Sequence, residues 1–436
     1  MHVYFSGIGG TGIGPLAMIA SQAGYTVSGS DKQDSQYIQY LREHGINDIH
    51  IGQTTDNIQQ THRTNPIDWF VYSSAIEKEN NQHPELLFVK DNSIKHSKRD
   101  EFINQIINNA NLKLLAVAGT HGKTTTTAML TYLIKNINEP ISYSIGAKIS
   151  FGDMGHFDPT SNFFALEADE FDRNFLSFNP FAAIISGISY DHHEIYPTQE
   201  DYNQAFVQFL SQSQNKFIWQ ADFDRLNVEA DESFVILDNN NHELQHITLP
   251  GLVNKQNALL VATAVSRIFN KPLSELIDII NDFPGVSRRM EKLSHNLYTD
   301  YAHTTDKIVG ALGIAKEIAN ANHQKLVIIY EPLTNRRMHH TIDEHHQIFD
   351  QVDKLYWVPS YLAREDPNQQ ILTPSELIQH LSEQAKPKAE PAELNQQLAD
   401  KIQSHTASND LVVALSGGGG HSLDEWLRQQ FTKPKS

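Results

Sequence analysis

Leu114-Leu115-Ala116-Val117-Ala118-Gly119-Thr120-His121-Gly122-Lys123-Thr124-Thr125 is the stretch that decides the fold. Its apolar opening reads as a buried strand. Two glycines then turn the chain, and Thr124–Ile137 carries the spacing of an amphipathic helix. A strand that feeds a helix through such a turn is built to hold phosphate. The glycines let backbone N–H groups approach the oxygens, and the helix N-terminus adds its dipole. The loop departs from G-x-x-x-x-G-K-[ST] only in having two residues fewer between its glycines. Gly119, Thr120, His121, Gly122, Lys123, Thr124 and Thr125 are therefore expected to bind ATP. Lys123 would reach the β- and γ-phosphates, and Thr124 would help hold Mg²⁺.

A second glycine loop lies upstream. Gly7-Ile8-Gly9-Gly10-Thr11-Gly12 fits G-x-G-x-x-G, follows the strand-like His2–Ser6 and precedes the helical stretch Pro15–Ala23. Asp31 comes after another strand-like run, Tyr25–Ser28, where a dinucleotide fold carries its ribose-binding acid. Locally this reads as an NAD site. The motif by itself does not separate NAD from another nucleotide diphosphate. A dehydrogenase, however, leaves the Lys123 loop unexplained.

Downstream, Phe163–Leu166 leads into Glu167-Ala168-Asp169-Glu170-Phe171-Asp172, and the strand-like Ala182–Ile185 is followed by Asp191-His192-His193. Carboxylates at a strand's C-terminal end in a phosphate-binding domain point to Mg²⁺; a solvated acidic loop is the other reading. His339, His340, His345 and His346 do not form H-E-x-x-H and read as a polar helix face rather than zinc ligands.

The chain has 436 residues, enough for about three domains. Its net charge of −18 argues against unspecific nucleic-acid binding. It has no cysteine, which excludes disulfides and thiolate chemistry and fits a cytoplasmic protein. No apolar run reaches the length of about 18 residues that a membrane span needs. The start, MHVYFSGIGG, reads as a strand entering a turn rather than a signal peptide. Further strand-like runs at Leu297–Tyr301 and Leu326–Tyr330, with helical stretches at Asp201–Gln212 and Asn254–Phe269, give an α/β class with parallel sheets. The polar Asn108–Asn111 and the break at Pro284-Gly285 suggest boundaries, so domains of 1–109, 110–288 and 289–436 are expected. Gln384–Pro391 reads as a surface loop by composition.

The phosphate loop resembles that of the Mur ligases, cytoplasmic enzymes that assemble the peptide stem of peptidoglycan, and the resemblance runs in order along nearly the whole chain. Gly7, Gly9, Gly10, Thr11, Gly12, Asp31, Ser73 and Ser74 resemble the residues that bind the UDP-sugar. Glu167 and His192, with Thr124, resemble the Mg²⁺ ligands. Asn254 and Asn257 resemble the adenine pair, and Arg288 and Asp300 would complete the ATP site. His303 and Arg337 would meet the incoming amino acid. The resemblance implies a Rossmann-like UDP-sugar domain, a central P-loop-type ATPase domain and a Rossmann-like C-terminal domain. It also implies a monomer or weak dimer that binds neither nucleic acid nor membrane. The activity implied is activation of the substrate carboxylate by ATP to an acyl phosphate, which the amine then attacks, with Lys123, Glu167 and His192 catalytic.

Within the family the nearer resemblance is to the branch that adds L-alanine to UDP-N-acetylmuramate, carried by the G-x-G-G-x-G opening at Gly7–Gly12, by Glu167-Ala168-Asp169-Glu170 and by Tyr361-Leu362-Ala363-Arg364-Glu365. Glu331-Pro332-Leu333-Thr334-Asn335 and Ser416–His421 resemble more the branch that recycles L-alanyl-γ-D-glutamyl-meso-diaminopimelate. Gly187, Val253, Thr304-Thr305 and Leu333-Thr334 depart from the family's usual Asn, His, His-Pro and His-Arg. These departures keep a non-catalytic relative as a further alternative.

Overall fold

The computed structural model describes residues 1–73, 76, 82–192, 195–362, 365 and 368–432. Ser74, His193, Ala363 and Arg364 lie outside the described residues. The chain forms two compact units: Met1–Thr248 with Gln256–Pro284, and Leu249–Lys255 with Gly285–Ser436. Both are α/β, as the alternation of strand-like and helical stretches requires.

The first unit holds two sheets. One consists of β1 (His2–Ser6), β2 (Thr26–Asp31), β3 (Ile49–Ile51), β4 (Trp69–Tyr72) and β5 (Lys95–Lys98), all parallel, in the order β3-β2-β1-β4-β5. The order reverses at β1, so the crevice for a ligand opens where Gly7 leaves the sheet. The other comprises β6 (Lys113–Ala118), β7 (Ser142–Ser144), β8 (Gly155–His156), β9 (Phe163–Glu167), β10 (Ala182–Ile185), β11 (Asn215–Trp219) and β12 (Phe234–Leu237). Its order is β12-β11-β10-β6-β9-β7-β8, with only β7–β8 antiparallel. Leu114–Ala118 are buried throughout, as the sequence of an unbroken apolar run demands of a central parallel strand. Glu167 ends β9 on one side of the phosphate loop, and Ser186-Gly187 follow β10 on the other. One continuous apolar cluster takes in Phe5 and Phe102 from around the first sheet and Leu166, Phe175 and Phe206 from around the second. That shared core is why the expected segments 1–109 and 110–288 pack largely as one unit.

The second unit holds β13 (Glu291–Ser294), β14 (Leu297–Asp300), β15 (Leu326–Glu331), β16 (Lys354–Trp357), β17 (Ala389–Pro391) and β18 (Leu411–Ser416), in the order β13-β14-β18-β15-β16-β17. Only β13 runs antiparallel to its neighbour. Two expectations are corrected here. Gln384–Pro391 is not simply a loop: Lys386–Lys388 is a 3₁₀ turn, and Ala389–Pro391 is the edge strand on β16. Three residues are too few to show a period, and proline is tolerated at such an edge. His345 is not on a polar face. It is 2% exposed, with Nε2 3.0 Å from the Tyr330 hydroxyl and Nδ1 2.8 Å from the Thr341 carbonyl. The aromatic rings of Tyr330 and Trp357 enclose it. His339, His340 and His346 are exposed as expected.

Candidate active site

The phosphate loop needs its glycines. Gly119 has φ +143° and Gly122 has φ +78°, conformations that L side chains rarely adopt. A Cβ on Gly119 would also lie 2.5 Å from Ser186 Oγ, and one on Gly122 2.9 Å from Asn257 Nδ2. The loop is pinned to the segment after β10: Thr120 N–H donates to the Gly187 carbonyl at 2.8 Å, and Ser186 Oγ donates to the His121 carbonyl at 2.5 Å. Gly187 itself has φ +142°, a backbone in which the family's usual Asn would be strained. The helix Lys123–Asn136 begins with no side-chain cap, so its first amides are left for an anion.

Lys123 Nζ donates to Glu170 Oε2 at 2.6 Å and to the Gly119 carbonyl at 2.7 Å, with Asp169 Oδ1 3.9 Å away. Burial pulls the lysine pKa down, but Glu170, Asp169 and Glu167 outweigh it, and the net shift is upward. Lys123 is therefore held charged. Glu170 is fully buried, and its Oε1 lies 3.4 Å from His192 Nε2. The nearby Glu170 carboxylate raises the His192 pKa against the opposing effect of burial. Glu170 was not singled out in the sequence; its place within a run of acids hid that it alone is wholly enclosed.

Thr124 Oγ1 donates to Glu167 Oε1 at 2.9 Å, and Glu167 Oε2 accepts from Gly146 N at 3.1 Å. A hydroxyl and a carboxylate thus meet at the mouth of the loop. These are hard oxygen donors of the kind Mg²⁺ prefers. The expected ligands do not all converge, since His192 rests on Glu170. Among the described residues no three acidic or histidine side chains gather as a metal site. Thr124 and Glu167 would fit an ion whose remaining ligands would be supplied by phosphate and water.

In the first glycine loop most amides serve the loop itself. Gly7 and Ile8 donate to the Ser30 carbonyl at 2.8 and 3.0 Å, Gly10 to Gly7 at 3.0 Å and Gly14 to Gly10 at 2.8 Å. Gly9 N–H donates to Asp31 Oδ2 at 2.8 Å, so Asp31 braces the loop. Thr11 and Gly12 keep amides with no partner among the described residues. They border a cavity of about 140 Å³ whose other walls include Arg99, Ser144, Gly146 and Glu167. A Cβ on Gly12 would lie 3.0 Å from Arg99 Nη1, and Arg99 Nη2 is 3.5 Å from Asp169 Oδ2. The sequence did not single out Arg99. The available signal was a cation opening the helix Arg99–Asn109, where the macrodipole disfavours it. Ser73 is half-buried just after β4.

Of the expected adenine pair, Asn257 is 1% exposed and lies beside Gly122. Asn254 donates its amide to the Pro250 carbonyl at 2.8 Å. In the second unit Asp300 accepts from the Met290 and Ala302 amides at 2.8 and 2.9 Å. Arg288 Nη2 donates to the Ser416 and Gly418 carbonyls at 2.8 and 2.9 Å, and its guanidinium stacks 4.5 Å from the Tyr301 ring centre. Both residues therefore brace loops. His303 Nδ1 lies 2.8 Å from the Tyr301 carbonyl. Burial first, and then Lys307, Arg337 and Arg289, push its pKa down to about 4. Arg337 Nη1 is buried with no hydrogen-bond partner among the described residues.

An α/β nucleotide-binding protein is the class that this fold and these loops define. Comparison with known families is more specific: the Mur ligase family catalytic domain matches residues 2–111 and the Mur ligase middle domain matches residues 117–233. The chain belongs to the Mur ligase family. It is 31% identical to a UDP-N-acetylmuramate–L-alanine ligase of Clostridium beijerinckii over 95% of both chains. Its fold is similar to that of the UDP-N-acetylmuramate-alanine ligase of Thermotoga maritima, with a TM-score of 0.76 at 22% identity over 98% of each chain. The murein peptide ligase of Psychrobacter arcticus shares the fold with a TM-score of 0.63 at 20% identity, covering 98% of this chain and 99% of that one. Among the described residues no helix is long and apolar enough to cross a membrane.

Proposed function

We propose that the protein is an ATP-dependent ligase that joins L-alanine to UDP-N-acetylmuramate through an acyl phosphate, a cytoplasmic step of peptidoglycan precursor synthesis. The observation that carries this reading is the cavity bordered by Gly12 of one glycine loop and by Glu167, the partner of Thr124 in the other. A nucleotide sugar seated on the first loop would extend its carboxylate toward the phosphates of ATP on the second. The three expected segments, 1–109, 110–288 and 289–436, would then serve the UDP-sugar, ATP and the amino acid.

The chemistry follows from the groups present. A carboxylate does not accept an amine because oxide is its leaving group. Attack of a carboxylate oxygen on the γ-phosphorus of ATP expels ADP and leaves an acyl phosphate. The neutral amine then adds to the acyl carbon, its nitrogen gives up a proton to solvent or to the departing phosphate, and the tetrahedral oxyanion collapses to the amide with loss of phosphate. Lys123, already charged, would share its donors between Glu170 and the transferring phosphoryl group. Thr124 and Glu167 would hold Mg²⁺, which when bound would offset the charge crowded around the reacting oxygens, while His192 would act only through its contact with Glu170. Arg99 would orient the anionic sugar substrate. Arg337 would take the amino acid's carboxylate beside a neutral His303. No side-chain nucleophile is required.

A second reading, a ligase for L-alanyl-γ-D-glutamyl-meso-diaminopimelate, has one observation in its favour. Thr334, where the family usually has a cation, spends its hydroxyl capping the helix Asn335–Thr341, accepting from Arg337 N at 3.1 Å. That leaves fewer anchors for a small amino acid. Both acceptors supplied together with ATP and UDP-N-acetylmuramate separate the readings by product mass. L-alanyl product should dominate; a dominant tripeptide product would establish the second reading, and no adduct with either would reject both.

A further inference from the structure

Glu85 lies in the helix Pro84–Asp91 and is fully buried beneath the first glycine loop. Three hydroxyls donate to it. Tyr4 and Ser30 reach Oε1 at 2.9 and 2.6 Å, and Ser6 reaches Oε2 at 2.5 Å. Tyr4 and Ser6 are two residues apart and so lie on one face of β1. Ser30 is the cross-strand partner of Ser6 in β2. Ser6 immediately precedes Gly7, and Ser30 immediately precedes Asp31. Ser6 Oγ in turn accepts from Gln53 Nε2 at 2.8 Å, two residues beyond β3. One carboxyl group therefore gathers the C-terminal ends of β1 and β2 directly and the exit of β3 through Ser6.

We infer that Glu85 is a positioning residue for the nucleotide-sugar site, fixing the glycine loop through Ser6 and Ser30; this rests on the reading that the loop holds a UDP-sugar. The geometry of the loop depends on those two strand ends. The Ser30 carbonyl accepts from Gly7 and Ile8, and Asp31 accepts from Gly9. A shift of Ser30 would move three of the loop's amides at once and carry Thr11 and Gly12 away from the cavity they border. Packing alone does not require this arrangement. Burial drives the Glu85 pKa upward, and the hydroxyls only partly offset it. An apolar side chain with apolar neighbours would fill the same space without that penalty. The polar cluster sits at the end of the sheet where open α/β folds bind ligands.

Isothermal titration with UDP-N-acetylmuramate and, separately, with ATP tests the inference on the full chain. Glu85→Gln keeps the shape and disturbs the match of donors to acceptors, and Ser30→Ala removes one link. Both should weaken UDP-N-acetylmuramate by about tenfold, the effect of losing one hydrogen bond to the ligand from the displaced Thr11 and Gly12 amides. Neither should change the ATP affinity, which a general loosening of the fold would also reduce. Unchanged sugar affinity in the folded variants, or equal losses for both ligands, would overturn the inference. If Glu85→Gln does not fold, Ser30→Ala decides. Wild-type protein that binds ATP but not UDP-N-acetylmuramate would instead reject the functional reading, and the inference with it.

Discussion

Lys123 and Glu170 form an ion pair at 2.6 Å in which the carboxylate is wholly buried and the lysine side chain is 13% exposed. The other Glu170 oxygen faces His192 Nε2 at 3.4 Å. The acid thus stands between two nitrogens, each of which it favours in the charged form. Together with the Gly119 carbonyl it fixes the position of the lysine nitrogen. On the proposed reading, a phosphate entering the loop would meet a cation already charged and placed, which would lower the reorganisation needed at the moment of transfer.

The first prediction separates the lysine's chemistry from its structural role. Lys123→Ala should reduce turnover by at least about 10²-fold. It should also lower the melting temperature, because removing one partner of a buried pair leaves an uncompensated charge at a cost of about 3–5 kcal/mol. Adding Glu170→Gln to that variant should recover much of the stability and none of the turnover. Thermal melts and steady-state rates on the single and double variants check both halves. Restored activity in the double variant would mean the lysine has no contact with the reacting phosphate.

Glu167→Gln should raise the Mg²⁺ concentration needed for half-maximal activity. The amide keeps an acceptor for the Thr124 hydroxyl, which lies 2.9 Å from Glu167 Oε1, but loses the charge. Thr124→Val should act in the same direction by removing the other oxygen donor. Activity titrated with Mg²⁺ at saturating ATP is the measurement; identical midpoints in wild type and both variants would remove Thr124 and Glu167 from the metal site.

These residues were legible in the sequence because a phosphate loop is local: its glycines, lysine and threonine are neighbours in the chain, and their spacing dictates the backbone. Glu167 was legible for a similar reason, as a carboxylate at the end of an apolar strand. Glu85 was not, because its hydroxyl partners lie 55 to 81 residues away and meet it only once the first sheet is assembled. Arg99 is hidden in the same way, since Asp169 is 70 residues downstream. His345 was misread because a run of histidines looks polar, whereas the fold turns that one ring beneath β15 and the rest to solvent. Asp300 and Arg288 were singled out by resemblance, but their bracing of local backbone is set by partners that no motif contains.

His303 should make stability depend on pH in a defined window. Its pKa is lowered from the ordinary histidine value to about 4, first by burial and then by Lys307, Arg337 and Arg289. The unfolded chain therefore binds a proton on this ring below about pH 6.5 that the folded chain refuses. The contribution is fully present above the unfolded value and is lost as pH falls through the folded one, near 4. His303→Gln should flatten the fall in melting temperature over this range, relative to wild type. Parallel slopes for the two proteins would show that the ring is not buried as a neutral group.

Arg337, proposed to meet the acceptor, gives the most direct test of it. Its Nη1 is buried without a partner among the described residues, an expensive state for a guanidinium unless a ligand relieves it. A free amino acid would do so through its carboxylate. Arg337→Ala should therefore raise the KM for L-alanine by about ten- to a hundredfold, the value of a charge-assisted hydrogen bond. The KM for ATP should not move. Arg337→Lys should rescue little, because a point charge does not reproduce the planar fork. L-alaninamide, which has the amine but no carboxylate, completes the test. Wild type should use it poorly, and Arg337→Ala should treat L-alanine and L-alaninamide nearly alike. If the variant still prefers L-alanine as strongly as wild type does, the carboxylate is bound elsewhere and the assignment of Arg337 fails.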